Sequence, residues 1–161
     1  MIKDRVGYKA RWTIRRFKSA ADHAAGKAYS ESHIEGNLLL NEGIAPALDL
    51  WAGIGTPTAF DNANARLGVG DSSAAEAASQ TDLQAATNKT YKGMEASYPS
   101  RAAQTLTWRA IFGSADANYA WNEFSCDNGA TAQQTLNRKV SAQGIKAAGQ
   151  TWQLDLTITL S

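Results

Sequence analysis

The last ten residues carry the plainest pattern in the chain. Trp152, Leu154, Leu156, Ile158 and Leu160 alternate with Gln153, Asp155, Thr157 and Thr159. A period of two sets one face of a β-strand toward a core and the other toward solvent. The sequence stops inside this strand, at Ser161, so the terminus is expected to be pinned in a sheet. Leu106, Trp108, Ala110 and Phe112 repeat the pattern, with Thr105, Thr107, Arg109 and Ile111 between them. Tyr119, Trp121 and Glu123 alternate in the same way with Ala120, Asn122, Phe124 and Cys126. Near the start, Trp12 and Ile14 share a face opposite Arg11, Thr13 and Arg15, and the alternation breaks at Arg16, where a bulge would fit. Weaker strand candidates are Lys27 to Ile34, Ala65 to Gly70 and Lys89 to Ala96, the last stopped by Tyr98-Pro99-Ser100.

One segment has a different period. Leu40, Ile44, Leu48 and Trp51 fall at helical spacing, and Gly53 is placed to cap the C-terminus. Asn37 or Asn41 could cap the start, and Pro46 favours the later one, because proline is tolerated only near the first turn. The spacing predicts a helix near residues 41–52 whose apolar stripe packs on a sheet. Ser79 to Leu83 could form one more helical turn, and Ser19 to Gly26 reads as a small polar loop. Short strands separated by turns, with no alternation of strand and helix, predict a mainly β chain. The expected fold is an antiparallel β-sandwich or jelly-roll-like domain with one α-helix.

Composition adds little until charge is placed along the chain. At 161 residues, with 43% hydrophobic and 19% charged, the chain suits one globular domain and not a disordered one. A net charge of +1 argues against a dedicated nucleic-acid binder. Yet residues 1–18 hold seven basic groups against one acid, Asp4, a net +6, which leaves the remainder at −5. Two readings fit: an edge strand protected by its charges, or a basic arm that tethers to an acidic partner or to another copy. The expected organisation is a basic N-terminal arm or strands over 1–34 and a single β-rich domain over 35–161. Cys126 is the one cysteine, so no internal disulfide can form. Met1-Ile2-Lys3-Asp4 opens no apolar signal region, and no apolar run reaches the ~20 residues that span a bilayer. Synthesis in a reducing cytoplasm is therefore expected, with no membrane partner.

Candidate chemistry is sparse. His23 and His33 have no metal-site spacing, and Cys126 on the Phe124 side reads as a small core residue. Gly68-Val69-Gly70-Asp71 reads as a tight turn, since no helix follows to cradle a phosphate. Asp116 and Glu123 are candidate paired carboxylates only by lying near aromatics. No catalytic residue, metal or cofactor is expected. Trp12, Trp51, Trp108 and Trp152 lie on apolar faces that read as core. Tyr119 and Trp121 point opposite to Phe124, and such a pair, if displayed, suits an interface or a sugar platform. The candidate interface residues are Arg11, Trp12, Ile14, Arg15 and Phe17 in the arm, with Tyr119 and Trp121 beyond it.

Several segments resemble a family of small virion proteins of tailed bacteriophages. They are Asn37-Leu-Leu-Leu-Asn-Glu-Gly43, Leu67-Gly-Val-Gly-Asp71 and Gln80-Thr-Asp-Leu-Gln84, then Phe112 to Glu123, Leu136-Asn-Arg-Lys-Val140 and the ending Thr151 to Ser161. Their order spans most of residues 35–161, and residues 1–34 are the least similar part. The Val-Gly-Asp turn followed by an aromatic-Asn-Glu strand is also loosely similar to N-terminal domains of tail-collar and fibre proteins. The resemblance implies a non-enzymatic structural component of the virion, made in the host cytoplasm. Head decoration, binding the major capsid protein and itself as a homo-oligomer, and attachment at the tail or portal are both compatible with it. The absence of a repeat or coiled-coil shaft favours decoration.

Overall fold

The computed structural model describes residues 7–129, 131 and 133–161. Among them, ten strands form two five-stranded antiparallel sheets, packed as a β-sandwich, with two helices. The mainly β expectation holds.

The first sheet contains β1 (Tyr8–Phe17), β2 (Ser30–Glu35), β6 (Ser100–Ala102), β7 (Thr105–Phe112) and β10 (Thr151–Leu160), in the order β2-β1-β10-β7-β6. The second contains β3 (Leu38–Leu39), β4 (Arg66–Gly70), β5 (Lys89–Gly93), β8 (Glu123–Asp127) and β9 (Thr135–Val140), in the order β3-β9-β8-β4-β5. Pairing is nested: β1 with β10, β3 with β9 and β4 with β8. A long hairpin folded over on itself gives such nesting, and it is the jelly-roll element of the topology.

The inward faces make one core. Trp12, Ile14, Trp108, Phe112, Leu154 and Leu156 of the first sheet meet Leu67, Val69, Phe124 and Cys126 of the second. β10 lies in the middle of its sheet, and Thr151, Gln153 and Asp155 on its other face are buried as well. The polar side of that strand is therefore covered, and Leu160, expected inward, is exposed at the strand's end.

Several expectations need correction. The basic segment is, from Tyr8 onward, an interior strand bonded to β10 on one side and β2 on the other. It is neither an arm nor an edge, and a boundary at residue 34 would cut through β2. Met1–Val6 lies outside the described residues. No bulge interrupts β1, whose register runs unbroken from Tyr8–Leu160 to Phe17–Thr151. Arg16 takes the inward place at the end of the sandwich, its guanidinium 4.7 Å over the Trp152 ring. There it bonds Ser32 Oγ (2.7 Å) and the Gln143 carbonyl (3.0 Å), which satisfies a cation where the core opens. Ser19–Gly26 holds a short helix, α1 (Ala20–Ala24), capped by the Ser19 hydroxyl accepting from Asp22 N–H. No helical turn forms at Ser79–Leu83.

The long helix, α2 (Asn41–Ala52), has the predicted span and ends on Gly53 in the left-handed conformation. Its N-cap is Leu40, which offers no side-chain bond, rather than either asparagine. The predicted stripe is buried only at its start, where Leu40 is fully buried and Ile44 half-buried. Gly43 and Pro46 face the sheet, and a Cβ at Gly43 would collide with the Leu136 and Thr135 backbone. Leu48 and Trp51 point to solvent. Helix and sheet approach most closely at Gly43, which leaves no room for a large side chain at that point of contact.

Candidate functional site

The seven residues named as a candidate interface separate into two groups. Trp12 and Ile14 are fully buried, with Trp12 5.8 Å from the Phe124 ring. Trp121 is the centre of an aromatic cluster, edge-on to Phe112 (4.9 Å) and Trp152 (4.8 Å), and its Nε1–H donates to the Ala117 carbonyl. Phe17 is on the outer face of the first sheet but is covered by α1, with His23 edge-on at 4.8 Å. Tyr119 is half-buried, its hydroxyl bonded to the Val69 carbonyl and to Thr90. These five serve the interior and are withdrawn as displayed anchors. Tyr119 and Trp121 precede β8 in irregular chain, where alternation does not set direction. Arg11 and Arg15 do stand on the outer face.

That outer face forms a groove of about 590 Å³. Strand register lays its residues in rows across the sheet. One row runs Glu35, Arg11, Thr157, Thr107 and Ser100, and the next runs His33, Thr13, Asp155 and Arg109. Asp155 is nearly fully buried and accepts two bonds from Arg109, Nε to Oδ1 at 2.8 Å and Nη2 to Oδ2 at 2.7 Å. Gln153 donates to the same carboxylate, and Arg15 reaches it at 3.5 Å. The carboxylate raises the affinity of the Arg109 guanidinium for its proton. Arg109 also lies 4.5 Å over the Tyr98 ring. Arg11 pairs with Glu35, Arg15 with Glu31, and His33 bridges Thr13 and Glu31. The groove therefore presents a fixed lattice of donors and acceptors in which most charges are already matched.

The second surface is apolar. Leu48, Trp51 and Ile54, on and just beyond α2, are 54%, 79% and 61% exposed. They border one hollow, and a second hollow of about 350 Å³ lies beside α2 between Leu50, Phe60, Leu106 and Trp108. Sequence reading placed Trp51 in the core because periodicity shows that a helix is amphipathic, not which side a sheet can accept.

The candidate carboxylates do other work. Glu123 is fully buried and pairs with the equally buried Arg138. Its oxygens also accept the Gln84 and Ala85 N–H groups, and Arg138 donates to the Ala74 and Ala75 carbonyls and to Gln80. Together they clamp the irregular stretch 74–87 onto the second sheet. Asp116 caps its loop through Gly113 N–H and pairs with Lys92. Burial pushes its carboxyl upward, but these partners outweigh that and hold it below the usual range. Burial raises the Cys126 thiol, the state of a core residue and not of a nucleophile. Gly68 and Gly70 lie within β4 rather than in a turn, where a Cβ would strike Tyr91 or Glu123. Among the described residues no group of three or more His, Cys, Asp or Glu is placed to hold a metal ion.

Fold and surfaces define a two-sheet β-sandwich with an uncovered apolar helix face and a polar groove. Compared with known proteins, the chain matches no family model, no curated protein and no solved structure.

Proposed function

We propose that this chain is a non-enzymatic structural component of a tailed-phage virion, made in the host cytoplasm and assembled with other virion proteins. The observation that carries the assembly role is the apolar face of α2. Three large apolar side chains more than half exposed on one short segment are a patch that water disfavours and that a protein partner would cover. The virion setting rests on the ordered sequence resemblance over residues 35–161. Within the virion, we propose capsid decoration, with the major capsid protein and further copies of the chain as partners. Decoration adds buried area across joints of the shell, and an apolar face on a single domain supplies it. The alternative placement is an adaptor at the tail or portal. Copy number in purified virions tests the placement: hundreds of copies support decoration, and about a dozen or fewer refute it in favour of the tail. Absence from virions removes the proposal altogether.

A second reading, a glycan-binding module, is favoured by the groove. The partly exposed guanidinium of Arg109, held flat by Asp155 beneath it, and the hydroxyls of Thr107 and Thr157 are polar groups of the kind that meet sugar hydroxyls. It predicts polysaccharide binding without turnover, lost when Thr157→Trp fills the groove.

A further inference from the structure

We infer that the apolar face of α2 is covered by a second copy of this chain, with Trp51 of one copy seated in the hollow between Leu50, Phe60, Leu106 and Trp108 of its neighbour. The inference rests on the assembly reading above and names the partner of that same surface.

Three observations support the contact, and the first favours a second copy over an unrelated partner. The first is that the surface carries both halves of a contact. Trp51 projects from one flank of α2, 79% exposed. Beside it, between α2 and the first sheet, lies an open apolar hollow of about 350 Å³ lined by Leu50, Phe60, Leu106 and Trp108, a surface that an apolar side chain of a neighbour can cover. Two copies can thus satisfy each other without any further protein.

The second is chemical. A tryptophan that becomes buried needs an acceptor for its Nε1–H. Asp61 stands at the rim of the hollow. Among the described residues its Oδ1 takes Ala63 N–H, Asn64 N–H and the Asn64 amide, and its Oδ2 has no partner. The indole of Trp108, by contrast, already donates to the Phe60 carbonyl, so the hollow's own donor is satisfied before anything enters.

The third is area. Leu48, Leu50, Trp51, Ile54 and Leu106 at their observed exposures leave roughly 500–600 Å² of apolar surface. A stable interface of standard size buries about 800 Å² on each partner, with a polar rim around an apolar centre. The patch supplies the centre, and Asp49 and Asp61 belong to the rim. A closed pair or a ring both satisfy this contact, because knob and hollow occur once on every copy.

The test is sedimentation equilibrium of the full chain over a concentration series reaching about 0.1 mM, with Trp51→Glu and Leu106→Trp as separate variants and as a mixture. Circular dichroism first checks that each variant folds. The wild type is expected to show at least twice the 17.2 kDa monomer mass. Trp51→Glu removes the knob and Leu106→Trp fills the hollow, so each alone should sediment as monomer. Mixed, they restore one intact knob and hollow, and association weaker than wild type should return if copies join head to tail. A wild type that stays monomeric throughout, or an oligomer indifferent to either single change, overturns the inference, and a mixture that stays monomeric overturns the head-to-tail ring. A monomer that still occurs in purified virions overturns the self-contact while leaving the virion role standing.

Discussion

Replacing Glu123 with glutamine should unseat the stretch 74–87 and cost a large part of the chain's stability. The side chain is nearly isosteric, so packing is unchanged and the effect isolates charge and hydrogen bonding. In the native chain Glu123 Oε2 accepts from Arg138 Nε (2.8 Å) and Gln84 N (2.9 Å) and lies 2.7 Å from the charged Arg138 Nη2, while Oε1 accepts from Ala85 N (2.8 Å). All four partners are donors. Whichever way the glutamine amide turns, its NH2 meets an N–H, and Arg138 keeps its charge at zero exposure with no counter-charge. Breaking one side of a buried pair typically costs about 3–5 kcal/mol. For a chain of this size that lowers the melting temperature by roughly 6–20 °C. Urea unfolding followed by tryptophan emission measures the loss, since Trp121 and Trp12 pack around Phe124 beside this site. Glu123→Leu with Arg138→Leu should cost less than the two single changes summed, because removing the second charge relieves the first. It should not return to wild type, since the Gln84 and Ala85 N–H groups and the Ala74 carbonyl then lack partners. A loss under about 1 kcal/mol for Glu123→Gln would refute the clamp, as would strict additivity of the leucine changes.

Gly43→Ala should cost about 1–3 kcal/mol by overpacking against the β9 backbone, visible as a lower urea midpoint, although alanine favours helix. Trp121→Ala should cost about 3–5 kcal/mol while Trp51→Glu stays within about 0.5 kcal/mol in conditions where the chain is monomeric. A comparable loss at both tryptophans would contradict the burial assigned to them. Asp82 is pushed up by burial, but Lys89, Tyr91 and Leu83 N–H outweigh this and hold its carboxyl below the usual value, as at Asp116. Because the folded value lies below the unfolded one, their stabilisation is present above about pH 4 and is lost as pH falls through the folded values. Asp82→Asn should therefore flatten the fall in stability between about pH 5 and pH 2, and an unchanged slope would contradict it.

Most strands, and the way each faces, are legible in the local pattern of the chain. Trp108, Ala110 and Phe112, and Trp152, Leu154 and Leu156, are inward as their alternation requires, because a strand offers only two sides and apolar area settles between them. The local pattern also determined the span of α2 and its glycine cap, which depend on residues within one turn. Tertiary structure alone decided three things. Sheet order made the basic segment an interior strand, since strand neighbours are set by long-range pairing that no local pattern records. Close approach at Gly43 decided which face of α2 met the sheet, and so left Trp51 outside. Juxtaposition decided the fate of the polar residues. Glu123 and Arg138 are 15 apart in sequence and Arg109 and Asp155 are 46 apart, and only folding brings each pair within hydrogen-bond reach. The groove and the apolar hollow beside α2 were invisible in the sequence for the same reason: each is lined from several strands or loops, and its chemistry exists only once the sheets have closed.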